Sequence, residues 1–312
     1  MGIFVVLGLL TVGLLATAFT GGDDGGAEPP PPQDDDDELR TGTSAADTIR
    51  TDRGDDLLLG GDGNDTLDGA AGDDMVVGEA GKDLLRGSGG DDIVVGGAGD
   101  DTMTGWSGED WLIGGAGNDS LNGGEGNDTL FGTSGRDSLE GGAGNDVLIG
   151  TDVGADFDFG EAVTEPLVTY LSETYGTAAT PAVQTRVIDA LNSHGAAGVD
   201  LLRGGEGDDE IIGDSGDTMV GGSGNDRYFV EYDGVAADFD AVTIRDFDPA
   251  LERLEIVLAD DVVTGNITTA LVSGDTVVSV GGVPVAILSD VAPAAVNLAS
   301  IRLSGGMAPA AT

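Results

Sequence analysis

The stretch Gly60-Gly61-Asp62-Gly63-Asn64-Asp65-Thr66-Leu67-Asp68 is one copy of a nine-residue unit, and this unit decides the fold. Twelve such units follow one another without a gap from Gly42 to Ile149. Position six is Asp and position eight is apolar in all twelve, and positions one and four are Gly in eleven each, the exceptions being Thr51 and Ala45. A strict short period of this kind predicts a solenoid of stacked, nearly identical coils.

Each position of the unit has a physical role. Glycine at positions one and four permits the positive-φ conformations of a tight turn and lets backbone carbonyls converge on a point. The apolar residue at position eight is expected to lie in a short strand of three residues and to point inward, so that successive coils stack into a narrow core. Two units then make one coil of 18 residues, which places each position-six Asp opposite its equivalent one coil away, Asp47 with Asp65 and Asp56 with Asp74.

The position-six aspartates are the predicted metal ligands. Calcium takes roughly six to eight oxygen ligands, and two such carboxylates together with the turn carbonyls supply about that number. The alternative is that these residues only form turns, but unpaired like charges at the spacing of one coil would be strongly destabilising. Twelve units offer ten pairs, so about ten ions are expected. The predicted ligands of this block are Asp47, Asp56, Asp65, Asp74, Asp83, Asp92, Asp101, Asp110, Asp119, Asp128, Asp137 and Asp146.

The charge balance of the chain supports a cation and excludes other partners. The chain has 12 Lys and Arg against 58 Asp and Glu, a net charge of −46, so it lacks the basic footprint that nucleic-acid binding requires. With no Cys there is neither a disulfide framework nor a thiolate metal site, and the single His194 rules out a His-rich one. Residues 42–149 carry 23 acidic and 5 basic residues, which about ten divalent ions would nearly neutralise. Folding of this block is therefore expected to depend on calcium.

The repeated pattern resembles the glycine-rich, calcium-binding repeats of the RTX (repeats-in-toxin, hemolysin-type) family, written G-G-x-G-x-D-x-U-x with U a large apolar residue. The resemblance implies an all-β fold, namely a right-handed parallel β-roll or β-helix that binds calcium. It also implies export, because the C-terminal region of such proteins carries an uncleaved signal for type I secretion. The apolar N-terminal segment of this chain departs from the usual directly exported member, so the export route stays open.

A second repeat block is predicted at 195–229, after an interruption. Its four units place Leu202, Ile211, Met219 and Tyr228 at position eight. The third unit, Gly213 to Val220, is one residue short, and we expect its calcium geometry to differ. The predicted ligands of this block are Asp200, Asp209, Asp217 and Asp226.

The residues at positions seven and nine predict that the two faces of the solenoid differ. Odd-numbered units present mostly polar pairs such as Thr102 and Thr104, whereas even-numbered units present an almost wholly apolar stripe. An apolar stripe about 25 Å long marks a surface that packs on something, either the rest of the chain, a second copy or a partner. We favour the rest of the chain. The stripe comprises Leu57, Leu59, Met75, Val77, Ile93, Val95, Trp111, Ile113, Thr129, Phe131, Val147 and Ile149.

The segments outside the repeats predict four further parts. Residues 1–20 contain an uncharged apolar run at 3–19 that is long enough to anchor the chain in a membrane or to direct its export. Residues 21–41 hold eight acidic residues and four consecutive prolines, and predict an extended linker. Residues 151–194 predict a helical hairpin that would cover the stripe, with each helix started by a Thr and Pro pair. Residues 230–312 predict a β-rich cap with strands at 241–247, 253–258, 275–280 and 283–288.

Three functions are compatible with these features. The favoured one is a non-enzymatic, extracellular or cell-surface module that folds on calcium and acts in adhesion or assembly, with self-association or ligand binding through its sheet faces. A second is a secreted hydrolase or toxin-like effector whose repeats assist type I secretion, although the sequence offers no catalytic constellation and no catalytic residue is predicted. A third is ice binding through the Thr and Ser column of the polar face, which Leu84 interrupts.

Overall fold

The computed structural model describes residues 37–150, 180–182, 185, 198–232, 240–258, 266–296 and 301–305. Pro181, Ala182 and Thr185 have helical backbone geometry, and all other regular structure in these ranges is β. The chain forms a parallel β-solenoid with two long sheets, one of 11 and one of 12 strands. The predicted all-β, parallel solenoid is confirmed.

Alternate units of the repeat build the two sheets. In the first repeat block each strand pairs in parallel with the strand one coil away, for example Leu58 with Val76 and Leu67 with Leu85, so one coil there is 18 residues as predicted. Sheet A contains, in order, β1 (Leu39–Thr41), β3 (Leu57–Asp62), β5 (Met75–Ala80), β7 (Ile93–Ala98), β9 (Trp111–Ala116), β11 (Thr129–Ser134), β13 (Val147–Ile149), β15 (Glu210–Gly213), β17 (Arg227–Tyr232), β19 (Arg253–Leu258) and β23 (Ile301–Gly305). Sheet B contains, in order, β2 (Thr48–Arg50), β4 (Thr66–Asp68), β6 (Leu84–Gly89), β8 (Thr102–Ser107), β10 (Ser120–Glu125), β12 (Ser138–Ala143), β14 (Leu201–Glu206), β16 (Thr218–Ser223), β18 (Val242–Ile244), β22 (Val283–Leu288), β21 (Asp275–Val280) and β20 (Ile267–Val272).

Most strands of the repeat blocks are six residues long rather than the three that the sequence predicts. The pairing continues through positions one to three of the next unit, as in β7, where Gly97 pairs with Gly115 of β9. Glycine makes this possible because the backbones of successive turns stack without an intervening side chain. At Gly81, φ is +151° and an added Cβ would lie 1.3 Å from the carbonyl oxygen of Gly63, so only glycine fits at this residue.

The two repeat blocks form one uninterrupted stack. β12 pairs directly with β14, and β13 pairs with β15, so the coils continue across the interruption with the same register. The helical hairpin predicted for 151–194 falls almost wholly outside the described residues. At the other end, β1 pairs with β3, so sheet A begins three residues inside the segment predicted to be a linker.

Two apolar clusters stabilise the solenoid. The inner one is the predicted column of position-eight residues, which runs from Leu58 to Tyr228 and continues into the strands that follow. The second lies on the outer face of sheet A and is the predicted stripe, with Leu57, Val77 and Phe131 at most 1% exposed. The stripe is therefore buried within a single copy of the chain, as favoured.

Strands β18–β23 extend both sheets beyond the repeats. β19, β21 and β22 have the predicted bounds, and Gly281 and Gly282 take positive φ values of 61° and 92° in the tight turn between the last two. Strands β20 and β23 have no counterpart in the sequence prediction. β21 pairs antiparallel with both β22 and β20, which ends the parallel stacking of sheet B.

A search of the described residues finds no helix with the length and apolar character needed to cross a bilayer. The apolar run predicted to act as an anchor, residues 3–19, is not among those residues.

Candidate metal centres

The position-six aspartates form two ladders that run the length of the solenoid. Each carboxylate after the first in its ladder accepts a hydrogen bond, through Oδ1, from the backbone N–H of the position-six Asp one coil earlier. Fourteen such bonds, 2.7 to 3.0 Å long, connect all sixteen predicted ligands. The ladder before sheet A contains Asp56, Asp74, Asp92, Asp110, Asp128, Asp146, Asp209 and Asp226, and the ladder before sheet B contains Asp47, Asp65, Asp83, Asp101, Asp119, Asp137, Asp200 and Asp217.

The second oxygen of these carboxylates is left without a hydrogen-bond partner in most coils. Asp101 shows the arrangement: its side chain is 2% exposed, Oδ1 accepts from the Asp83 N–H at 2.8 Å, and Oδ2 has no partner. A buried carboxylate oxygen without a partner is costly, so an array of them indicates a missing positive ligand. The thirteen aspartates with such an oxygen are Asp56, Asp65, Asp74, Asp83, Asp92, Asp101, Asp110, Asp119, Asp128, Asp137, Asp146, Asp209 and Asp226.

Two of the remaining predicted ligands have Oδ2 engaged by the protein. Asp47, in the first unit, accepts from the N–H and the hydroxyl of Thr43 through Oδ2. Asp217, in the shortened unit, accepts from the Asp214 N–H through Oδ2 at 2.8 Å. In this shortened unit a backbone N–H therefore contacts the carboxylate oxygen that has no partner in most other units. This contact supports the expectation that the geometry of the unit differs.

Glycine at position one lies beside the free carboxylate oxygen in every one of the thirteen units that have one, except that of Asp56, where the residue is Thr51. A Cβ added at Gly96 would lie 2.5 Å from Asp101 Oδ2 and 2.5 Å from the carbonyl oxygen of Gly114, one coil further on. The same pairing of a carboxylate and a carbonyl recurs at Gly60 and Gly114. The φ of Gly96 is not positive, so the glycine is required here for space and not for backbone conformation.

The electrostatics of the metal-free ladder favour protonated carboxyls. Burial raises the pKa of Asp92 to about 9, with the neighbouring charges of Asp110 and Asp74 adding to the effect and the hydrogen bond from the Asp74 N–H opposing it. Burial likewise raises the pKa of Asp74, Asp101 and several others to about 7. Without a cation, these buried carboxyls are therefore partly or largely protonated at neutral pH, where an exposed Asp is fully ionised.

The donor set fits a hard cation bound largely by backbone oxygens. No group of three or more His, Cys, Asp or Glu side chains suited to a metal occurs in the ranges that the structure describes. At Gly60, Gly96 and Gly114 the free carboxylate oxygen instead faces a glycine carbonyl of the adjacent coil, which is the all-oxygen chemistry that calcium prefers over softer metals. Bound there, a calcium ion would supply positive charge to the carboxylates and coordinate the carbonyls of adjacent coils.

A further ladder, at position five, was missed by the sequence analysis. On one edge Asp55 accepts from the Asp73 N–H at 2.9 Å and Asp73 accepts from the Asp91 N–H at 2.8 Å, and Glu109 donates its N–H to Asp91 in turn. On the opposite edge the series includes Asn118, whose N–H and side-chain amide both bond to Asp100. The recurrence of Asn or Asp at position five was visible in the sequence, and it serves to join the turns of adjacent coils.

Comparison with known families identifies the repeats. The model of the RTX calcium-binding nonapeptide repeat matches residues 41–76, 68–103, 77–112, 104–139, 122–152 and 194–228. These are RTX repeats. The RTX match covers the residues that carry both aspartate ladders, and the resemblance seen in the sequence is confirmed.

Comparison with solved structures and with curated proteins gives one weak similarity and no significant match, respectively. Among solved structures, the extracellular lipase LipA from Serratia marcescens is similar at 16% sequence identity, with a TM-score of 0.22. The match covers 81% of this chain and 45% of the lipase, so the chain spans less than half of that protein's length. No significant match is found among curated proteins.

Proposed function

We propose that the chain is an exported, non-enzymatic RTX module whose β-solenoid folds when extracellular calcium binds along the two aspartate ladders. The observation that carries the proposal is the row of thirteen buried carboxylate oxygens without a partner, twelve of which lie beside a position-one glycine. In this proposal the position-six aspartates are the calcium ligands. Acting on a cell surface or outside the cell, the loaded module would serve adhesion or assembly through its outer faces.

Calcium is more concentrated outside a cell than inside it, and this difference would let the aspartate ladders control when the chain folds during export. Extracellular modules bind calcium with dissociation constants of roughly 10⁻⁴–10⁻³ M, so such sites stay empty inside the cell and fill outside it. An empty array keeps the chain unfolded by mutual repulsion of its carboxylates, because metal binding and folding are coupled. The chain would therefore leave the cell unfolded and fold only after export.

The test is a calcium titration of the demetallated full chain, followed by far-UV circular dichroism and by the number of ions bound. The variant Asp101→Asn removes one buried charge and places an amide N–H₂ donor in the carboxylate position, so it should lose about one to two ions and shift the titration midpoint to severalfold higher calcium. The matched control is Asp100→Asn, the adjacent aspartate, whose side chain is 45% exposed and pairs with Lys82. That control should stay within about twofold of the unmodified chain, since an exposed ion pair contributes about 1 kcal/mol or less.

Two outcomes would contradict the proposal. One is a demetallated chain that already shows the full β spectrum at neutral pH and does not respond to calcium. The other is an Asp101→Asn chain that binds as many ions, at the same midpoint, as the Asp100→Asn chain.

A further inference from the structure

The last strand of sheet B presents an edge with no partner among the described residues. β20 (Ile267–Val272) pairs on one side with β21, and no described strand lies on its other side. Such an edge carries a row of free backbone N–H and C=O groups and is a template for pairing with another chain. Proteins normally protect these edges with charge, proline, a bulge or a short strand.

β20 has none of these protections. Its six residues, Ile-Thr-Thr-Ala-Leu-Val, contain no charge and no proline, and the irregularity in this part of the sheet lies between Val278 and Ser279, in the pairing of β21 with β22. Leu271 is 62% exposed and Val272 is 52% exposed. The strand therefore combines high β propensity, exposed apolar side chains and a full six-residue edge.

The opposite edge of the same sheet is protected. β2 (Thr48–Arg50) is only three residues long and ends in Arg50, whose side chain is 69% exposed and lies 3.6 Å from a carboxylate oxygen of Asp68. A short, charged edge is a poor template for strand pairing. The contrast argues against an open head-to-tail stack, in which the β20 edge of one copy would pair with the β2 edge of the next.

The charge of the chain disfavours contact between two copies through most of their surface. The chain has 58 acidic and 12 basic residues, and calcium on the ladders neutralises only part of this excess, whereas β20 is an uncharged strand. Contact through this strand avoids repulsion between the acidic residues. Antiparallel pairing of β20 with itself is also self-complementary, which closes a two-fold dimer and leaves no edge for further growth.

We propose that β20 is the self-association edge of the protein, where two copies pair antiparallel through Ile267–Val272 and join their B sheets into one. The contact of two six-residue strands is small, so the dimer is expected to be weak, with a dissociation constant of roughly micromolar or higher. The proposal is independent of the role of calcium beyond requiring the folded, calcium-loaded chain.

Sedimentation velocity of the full chain in saturating calcium tests the proposal, over roughly 1 to 200 µM protein. The unmodified chain should shift from monomer to dimer over this range. Thr268→Lys combined with Ala270→Lys places two charges on exposed positions of β20 and should raise the dissociation constant at least tenfold. The matched control, Thr102→Lys with Ser120→Lys, adds the same two charges at exposed positions of interior strands of the same sheet and should dimerise like the unmodified chain.

A cysteine scan tests the geometry without charged substitutions, because the chain has no native Cys. Single Cys residues at Thr268, Thr269, Ala270 and Leu271 should form a disulfide-linked dimer most efficiently at one position, with yield falling on either side, because an antiparallel two-fold pair brings only one residue opposite itself. A chain that is monomeric throughout, or Lys variants on β20 that associate like the control, would overturn the proposal. Equal cross-linking at all four positions would overturn it too, because that result means parallel, in-register pairing.

Discussion

Single glycines and aspartates of the repeat contribute in different ways to the proposed metal site. At Asp101, one carboxylate oxygen joins the coil to its neighbour through a backbone N–H, while the other remains in a space that Gly96 keeps open. Because the structural hydrogen bond and the free oxygen belong to one carboxylate, the ladder is held in the same arrangement at each coil. Removing the glycine should therefore affect metal binding even though glycine supplies no side-chain ligand.

The variant Gly96→Ala tests the contribution of the glycine. The added methyl group would lie 2.5 Å from both Asp101 Oδ2 and Gly114 O, which is closer than a real Cβ contact, so the oxygens must separate. We expect a higher calcium requirement and a loss of roughly 1–3 kcal/mol from the free energy of unfolding of the loaded chain. Denaturant unfolding in saturating calcium measures the loss.

Gly89→Ala is the matched control for this substitution. The nearest atom to its added Cβ is Ser107 Oγ at 3.5 Å, an ordinary contact distance, so the change should be within about 0.5 kcal/mol. If the two variants lose the same stability, the effect comes from the general cost of replacing a strand glycine and not from the metal position.

At the scale of elements, the outer stripe of sheet A shows how two faces of one repeat acquire different roles. Phe131 is 1% exposed, and its ring centroid lies 6.0 Å from that of Trp111 in the next coil. Sheet B, built from the same repeat, exposes its position-seven residues Thr102 and Ser120, and also Trp106 at position two, which is 61% exposed. The choice of residues at positions seven and nine therefore determines which sheet is covered.

Replacing Phe131 by Ala tests whether the stripe is covered in solution. Truncating a fully buried Phe costs roughly 3–5 kcal/mol, because its transfer energy is lost and a cavity remains. Trp106→Ala, the truncation of an exposed aromatic residue on sheet B, is the control and should change the free energy of unfolding by less than about 1 kcal/mol. A Phe131→Ala chain as stable as the control would mean that the stripe faces water.

The sequence predicted those elements whose residues repeat, and missed those that depend on contacts between distant segments. The period located every position-six Asp and every inward-facing position-eight residue of the repeat blocks, because a coil of fixed length makes spatial neighbours predictable from sequence spacing. It did not predict β20, whose residues show no alternation of polar and apolar character, or β23, whose place is fixed by pairing with β19. It also did not predict that β14 stacks directly on β12, since the sequence between the blocks gives no register.

At the scale of the whole molecule, the stability of the solenoid depends on the charge of the carboxylates in the two ladders. All sixteen predicted ligands lie in two continuous rows, including the four that follow the interruption. Neutralising one carboxylate eases the burial of its neighbours, so both protons and cations should stabilise the whole stack cooperatively. Protons should stabilise the stack at low pH and cations at higher pH, because a cation binds the ionised carboxylate and a proton neutralises that charge.

The metal-free protein should therefore gain β structure in acid. Burial raises the pKa of Asp74, Asp101 and Asp137 to about 7 and that of Asp92 to about 9 in the folded state, above the value of 3.8 for an unperturbed Asp. A raised folded-state pKa means that the folded form binds protons more tightly than the unfolded form. The stability that these groups contribute is then fully present below about pH 4 and is lost as the pH rises through about 6 to 9.

Far-UV circular dichroism between about pH 4 and pH 8 measures this dependence. The chain should be demetallated by exhaustive dialysis, since chelators lose their affinity for calcium in acid. We expect the metal-free β signal to fall as the pH rises, and the signal in millimolar calcium to be retained at pH 8, with a calcium midpoint that increases as the pH falls because protons compete for the same oxygens. A metal-free chain whose β signal is constant, or larger at pH 8 than at pH 4, would show that the buried carboxylates do not control the stability of the solenoid.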